Sequence, residues 1–223
     1  KRLITNTLTL SVYSLVAGFP IPILLALMLN ECGNLKYKKA VQMITYAPHF
    51  ISTVVMCSII LLVVTSANNG ILNNMLAALG ATERVDFITK PNYFAHIYVW
   101  SGVWQSMGYG SIIYIAALAG IDPSLHEAAM VDGASKIKRI WHIDLPGIMP
   151  TITILLILNV GSLMNVGYEK VLLLQNDLNM SASDIIATYV YRQGLEGAQY
   201  SFSAAVGLFN SVVNTILLVS VNF

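Results

Sequence analysis

Residues able to do chemistry are few in this chain and unevenly placed. Lys and Arg number 12, Asp and Glu 11, His 4 and Cys 2 in 223 residues. His126-Glu127 opens like a zinc-binding HExxH, but position 130 is Met, so the second metal ligand is missing. His49 and His96 stand alone in apolar surroundings and read as packing residues, while His142 belongs to a basic stretch. There is no nucleophile–base pair and no glycine loop to cradle phosphate, so neither catalysis nor nucleotide binding is expected of this chain. Cys32 and Cys57 lack paired CxxC metal spacing, and no disulfide is expected between them. The chemistry on offer is a grip, carried by the run Glu127-Ala128-Ala129-x3-Gly133-x9-Ile143-x-Leu145-Pro146 between two long apolar segments. Glu127 can pair with a basic residue of a soluble partner, a bond that strengthens when shielded from water. Ala128 and Ala129 are small enough to enter a narrow groove, and Gly133 allows a turn that residues with a Cβ make only at a cost.

A grip of this kind needs a rigid base, and the composition says what that base is. The chain is 56% hydrophobic and 10% charged, against about 25% charged in ordinary soluble domains. No Asp, Glu, Lys or Arg falls in 3–30, 40–82, 91–121, 145–168 or 197–223. Each window holds the roughly 20 apolar-leaning residues that cross hydrocarbon as a helix. In lipid the backbone must satisfy its own hydrogen bonds, which excludes isolated strands. Five spans are expected, near 4–29, 42–65, 94–119, 147–165 and 202–223. The first is too long for a signal peptide, lacks a cleavage pattern and holds Pro20 and Pro22, which should bend it. The chain starts without Met and stops inside an apolar run, so continuation at both ends and a sixth span are expected. A soluble helical bundle is the alternative that this composition disfavours.

An odd number of spans puts Lys36, Lys38, Lys39, Lys136, Lys138 and Arg139 on one face. Lys1, Arg2, Arg84, Lys90, Lys170 and Arg192 fall on the other. The raw count is a tie, but the first set forms two tight triplets in short loops, which leans that face toward the cytoplasm. The longer loops, 66–93 and 166–201, are then extracytoplasmic. Within the first, Ile71, Leu72, Met75, Leu76 and Leu79 recur at helical spacing and predict a short interfacial helix. In the loop 122–146, Asp122 can cap a helix that Pro123 opens, or Ser124 and Glu127 can form a capping box. Either start gives a helix over 125–131, a turn at Gly133, and a second helical stretch over 135–141. Leu145-Pro146 ends that stretch and opens the next span. A plain solvated hairpin joining two spans is the competing reading of this loop.

The motif resembles the EAA loop of the permeases of binding-protein-dependent ABC importers. Asn6-Thr7-Leu8, the run from Tyr46 to Ser52 and the run from Tyr114 to Pro123 extend that resemblance. So do Gly167-Tyr168-Glu169-Lys170 and the run from Thr188 to Arg192. Together they make the chain similar to the carbohydrate-uptake branch, and within it to LplB-type polysaccharide and oligosaccharide permeases. The resemblance implies an all-α membrane protein of MetI-like architecture, with 1–223 as a single transmembrane domain and 122–146 as a cytoplasmic coupling loop. It implies that Glu127, Ala128, Ala129, Asp132, Gly133, Ile143, Leu145 and Pro146 take up motion from an ATPase. The implied partners are a second permease, two cytoplasmic ATPase subunits that bind ATP and Mg, an extracytoplasmic solute-binding lipoprotein, and the lipid of a bacterial cytoplasmic membrane. No cofactor in this chain and no nucleic-acid partner are expected. The position before the acidic residue, often Phe in such proteins, is Tyr168 here.

Sugars present hydroxyls and apolar ring faces, which amide and aromatic side chains suit. Asn159, Ser162 and Asn165 are spaced by three on the fourth span, and Trp104, Gln105, Tyr109 and Tyr114 enrich the third. Asn210 and Asn214 lie four apart on the last span, and Tyr168 and Glu169 sit at the outer end of the fourth. Intramembrane polar residues line cavities or glue helices together, and both roles stay open for these positions. A secondary transporter or channel without an ATPase is the alternative function. It would favour an intramembrane Asp or Glu relay, and none of the five windows holds one.

Overall fold

The computed structural model describes residues 1–65 and 70–222. Residues 66–69 of the expected 66–93 loop, and Phe223 of the last expected span, lie outside the described residues. The chain opens with α1 (Arg2–Gly18) and α2 (Pro20–Asn30). Pro20 has no N–H to give, so the ladder is interrupted at Phe19, yet that residue keeps helical angles and Arg2–Asn30 remains one 29-residue candidate span. Next, α3 (Leu35–Tyr46) starts where the Asn34 side chain accepts from the amides of Lys36 and Tyr37. A 3-10 turn over Ala47–Phe50 leads to α4 (Thr53–Val64), capped by Ser52.

The second expected span is therefore not one helix. Its two halves meet at 104°. Pro48 tightens the turn, Ile51 turns extended, and Ser52 starts a fresh helix, so continuation through 42–65 is impossible. After α5 (Ile71–Ala78), the short helix its spacing predicts, comes α6 (Pro91–Ala119), opened by proline at its first position. The loop helices α7 (Pro123–Val131) and α8 (Lys136–Arg139) precede a π-helical turn, Ile140–Asp144, and α9 (Leu145–Gly147). The fourth expected span begins as a helix at Met149, and the 59° bend lies just before it, at Ile148, where Pro146 and Pro150 bracket the junction with the loop helices. That helix, α10 (Met149–Gly161), stops short of residue 165. α11 (Tyr168–Leu174), α12 (Met180–Ser183), α13 (Ile186–Tyr191) and a π turn fold the second long loop before α14 (Tyr200–Asn222).

By length and composition, two of the described helices can cross a membrane, Arg2–Asn30 and Tyr200–Asn222, or four if each bent pair is one span. The third expected span, α6, is 29 residues and about 43 Å long but is not among these candidates, so the count of five is not reached. Its Trp, Tyr, Gln, Ser and Gly residues make it less apolar than the others.

α6 organises the core at both ends. Near its start Phe94 joins Leu10, Met56, Ile60, Val171, Leu174 and Ile185. Near its end Tyr114 and Leu118 pack with Ile23, Ala26, Leu27 and Ile148. The loop of α11–α13 is bound to the head of α1 by polar contacts: the Asn6 amide donates to the carbonyls of Ser181 and Asp184, and the Ile186 amide donates to the Thr7 hydroxyl. Buried Asp184 pairs with Arg2 and Arg192. Outward faces are apolar: Met28 and Leu208 are largely exposed, and α10 and α14 bury none of their residues. That inversion of the soluble pattern suits a hydrocarbon surround.

Candidate functional site

Of the two starts open to α7, the Asp122 cap is the one formed. Its carboxylate accepts from the Ser124 amide at 2.9 Å, and that bond with the Ser124 hydroxyl holds the carboxyl below its ordinary range. The helix closes with the amides of Asp132, Gly133 and Ala134 reaching back to Ala128, Met130 and Ala129. Gly133 sits at φ +73 with no atom near its missing Cβ, so glycine is needed there for backbone conformation and not for space. The Ser135 hydroxyl then accepts from the Lys138 amide, starting α8.

The outer face of this hairpin is open. Glu127, Ala128 and Asp132 are exposed, Ala129 is half-buried, and Val131 and Ile137 stand out as apolar groups in the open. Glu127 makes no ion pair among the described residues. The inner face is anchored at two points. His126 Nε2 lies 3.4 Å from Asp144 Oδ1, at the root of α9. Lys136 and Arg139 approach Glu31, at the end of α2, at 3.9 and 3.7 Å. Asp144 is fully buried, and neither carboxylate oxygen has a hydrogen bond. Its burial raises the carboxyl above the ordinary 3.8, against the lowering pull of His126 and Arg139. Ile143 and Leu145 are half-buried, Leu145 packing on the Tyr114–Ile148 cluster, and Pro146 is exposed beside them. The motif thus divides into an open tip and a packed root.

A second feature is a cavity of about 410 Å³ between α1, α2, α6 and the end of α10, within the range of about 300–1,000 Å³ seen for small-molecule sites. Asn159, Ser162, Asn165 and Tyr114 line it, with Ser11 and Ser14 opposite. Because α10 ends at Gly161, Ser162 and Asn165 belong to the turn beyond the helix and not to one helical face. Asn165 accepts from the Asn214 amide of α14 at 3.1 Å, while Asn159 donates back to the Leu155 carbonyl.

The other third-span candidates are placed differently. Trp104 is exposed away from the cavity. Tyr109 stacks flat on His49 at 3.9 Å, and Gln105 donates to the Ile51 carbonyl, so both brace the bend between α3 and α4. Gln105 also borders a smaller adjoining cavity of about 240 Å³. Tyr168 stacks on Tyr191 and lines a separate pocket with Asn210, and Glu169 is exposed. Sequence reasoning passed over Ser11, Ser14 and Gly18, whose small side chains at spacings of three and four mark one face of α1. It passed over Glu31, Asp144 and Lys170 too, which carry no local signal beyond their charge.

Known proteins match this arrangement over nearly its whole length. Protein LplB of Bacillus subtilis (strain 168) is 42% identical over 222 residues, covering 100% of this chain and 69% of LplB. The polygalacturonan/rhamnogalacturonan transport system permease protein YteP of the same organism is 40% identical, covering 99% of this chain and 68% of YteP. In three dimensions the chain superposes on a subunit of a bacterial ABC transporter involved in import of the acidic polysaccharide alginate. The TM-score is 0.95 at 46% identity, covering 99% of this chain and 77% of the other. Residues 4–223 match the family described as binding-protein-dependent transport system inner membrane component, and the chain belongs to that family.

Proposed function

We propose that this chain is one permease subunit of an ATP-driven importer of oligosaccharides, sharing the membrane pathway with a second, similar permease. An extracytoplasmic solute-binding lipoprotein delivers the sugar to the face carrying 66–93 and 166–201. Two cytoplasmic ATPase subunits, which hold the ATP and Mg, engage the 122–146 loop from the other side. The chain itself hydrolyses nothing. It crosses a bacterial cytoplasmic membrane five times within 1–223, as Arg2–Asn30, the broken stretch 42–65, α6, α10 and α14. Support for the sugar comes from the relatives: YteP is named for polygalacturonan and rhamnogalacturonan, and an alginate transporter of the same fold was solved with an alginate pentasaccharide-bound periplasmic protein.

The carrying observation for coupling is the division of the hairpin into an exposed tip around Glu127 and a root ion-paired to Glu31 and Asp144. A displacement applied at such a tip reaches α2 through Arg139 and Glu31, and the segment leading to α10 through His126 and Asp144. The test is co-purification of the permease with its operon's tagged ATPase from detergent, with and without Glu127→Lys. The substitution is expected to abolish capture while the permease still elutes as a folded species. Undiminished capture would remove Glu127 from the contact.

A further inference from the structure

Lys170 is the one charged side chain bordering the two adjoining cavities. Among the described residues, the larger cavity has no Asp, Glu, Lys or Arg in its lining, and the smaller has Lys170 alone. The two share Ser14, Gly18, Tyr98 and Ser106, so they are compartments of one space. From α11 the ammonium reaches across to α6, donating to the Tyr98 carbonyl at 2.9 Å and standing 4.9 Å from the Tyr98 ring centre. An ammonium has three N–H donors, and the remaining two have no protein acceptor among the described residues. No carboxylate lies within ion-pairing distance of it among the described residues either. Gly102 makes the room: a Cβ there would come within 3.3 Å of Nζ. Lys170 is part-buried, and an ammonium partly removed from water without a counter-ion is held at a cost.

We propose that Lys170 recognises the carboxylate of the cargo, so that the pathway selects anionic, uronate-bearing oligosaccharides over neutral ones. The proposal rests on the reading of this chain as an oligosaccharide permease. The passing carboxylate supplies the missing counter-charge and takes the two free N–H groups. Ser14, Ser106 and the Gln105 amide, which border the same compartment, suit the sugar hydroxyls. Charge-assisted bonds of this type are about twice as strong as neutral ones, which makes the difference between an acid and its neutral counterpart measurable.

The test uses the complete importer in proteoliposomes loaded with ATP and supplied with its own binding protein. Uptake of galacturonate and mannuronate tetrasaccharides is compared with uptake of their carboxyl-reduced, neutral counterparts. Wild type is expected to favour the acids. Lys170→Met should lower acid uptake roughly tenfold or more while leaving neutral uptake within about twofold, and Lys170→Arg should restore most of the preference. The same binding protein is present throughout, so a change in the acid-to-neutral ratio belongs to the permease. An unchanged ratio in Lys170→Met, including a parallel fall of both because α11 has come away from α6, overturns the proposal. Wild-type uptake that favours the neutral sugars overturns it too, and leaves oligosaccharide import standing. ATP hydrolysis with uptake of neither class would sink the oligosaccharide reading, and the role of Lys170 with it.

Discussion

Two glycines on α6, two residues apart, should respond oppositely to the same substitution. Alanine in place of a helical glycine gains about 1 kcal/mol of helix propensity at either position. At Gly110 the added Cβ would meet the Pro22 ring at 3.4 Å, an ordinary contact, so that gain is kept. Gly110→Ala is therefore expected to stabilise by about 0.5–1 kcal/mol, which in a chain of this size raises Tm by about 1–4 °C. At Gly108 the Cβ would fall 2.1 Å from the Thr45 carbonyl oxygen and 2.4 Å from its carbon. That wall is backbone, inside a helix whose Thr45 hydroxyl already bonds the Val41 carbonyl, so it cannot turn aside like a side chain. To reach a tolerable contact α3 must back away from α6 by about 1 Å, and overpacking of this kind costs about 1–3 kcal/mol, more when backbone must move. Net of the propensity gain this leaves a loss of up to about 2 kcal/mol, and Gly108→Ala is expected to lower Tm by up to roughly 8 °C. The assay is thermal unfolding of both variants and wild type in one detergent at one scan rate, which keeps the comparison sound if unfolding is irreversible. Gly108→Ala melting at or above wild type would refute the close crossing of α3 and α6, and equal losses in both variants would refute the steric account.

Two further outcomes concern the hairpin. Gly133→Ala forces a Cβ into the left-handed region at a cost of about 1–2 kcal/mol, whereas Gly133→Asn costs less. Binding-protein-stimulated ATPase activity should fall further in the Ala variant than in the Asn variant, with Tm lowered by about 2–8 °C in the Ala variant and by less in the Asn variant; equal activities would show that the turn is not needed. Asp144 titrates in the folded state above its unfolded value, so its contribution to stability is fully present below the ordinary 3.8 and is lost as pH rises through the raised value. The Tm advantage of Asp144→Asn over wild type should therefore grow as pH rises above about 4, and a shrinking advantage would mean that His126 and Arg139 outweigh burial.

The family and the helical class were legible because they rest on composition and local spacing. Charge-free windows marked where the chain is apolar, and the Glu127–Pro146 run could be read without knowing what it packs against. What failed was continuity. The window 40–82 looks uninterrupted by composition, yet Pro48 with the Ser52 cap breaks the path inside the span expected at 42–65, and the helix of the span expected at 147–165 ends early, at Gly161. A count of apolar residues does not register the direction of a helix. The pathway residues divided for a related reason. Asn159, Ser162 and Asn165 do share a cavity, but the helix ends before two of them, and the turn brings them together. Tyr109 and Gln105 look like sugar ligands by type, and their partners, His49 and the Ile51 carbonyl, are more than fifty residues away in sequence. Glu31 and Asp144 became visible only when the fold set them against Arg139 and His126.

Those two anchors differ in weight, and the difference bears on how a push at the hairpin would reach the cavity. Lys136 is 70% exposed and stands 3.9 Å from Glu31, an arrangement that contributes little in water. Arg139 is 13% exposed against 19% for Glu31, so their attraction is less screened and carries the tie to α2. Asp144 is tied less by hydrogen bonding than by enclosure, since at 3.4 Å from His126 its oxygens still lack a proper donor. Glu31 ends α2, which borders the cavity through Pro22, while Asp144 precedes α9 and lies across the Ile148 break from α10, which borders the cavity through Leu155 and Asn159. Glu31 and Pro22 are separated by nine residues of helix, about 14 Å, and a helix of that length moves as a rod. On the proposed function, an ATPase that tilts α7 would move two walls of the cavity through two separate rods. The 59° break at Ile148 makes those rods unequal, because α10 meets the root at an angle. The same displacement would then shear the walls past one another, which opens one end of a cavity while closing the other, as alternating access requires.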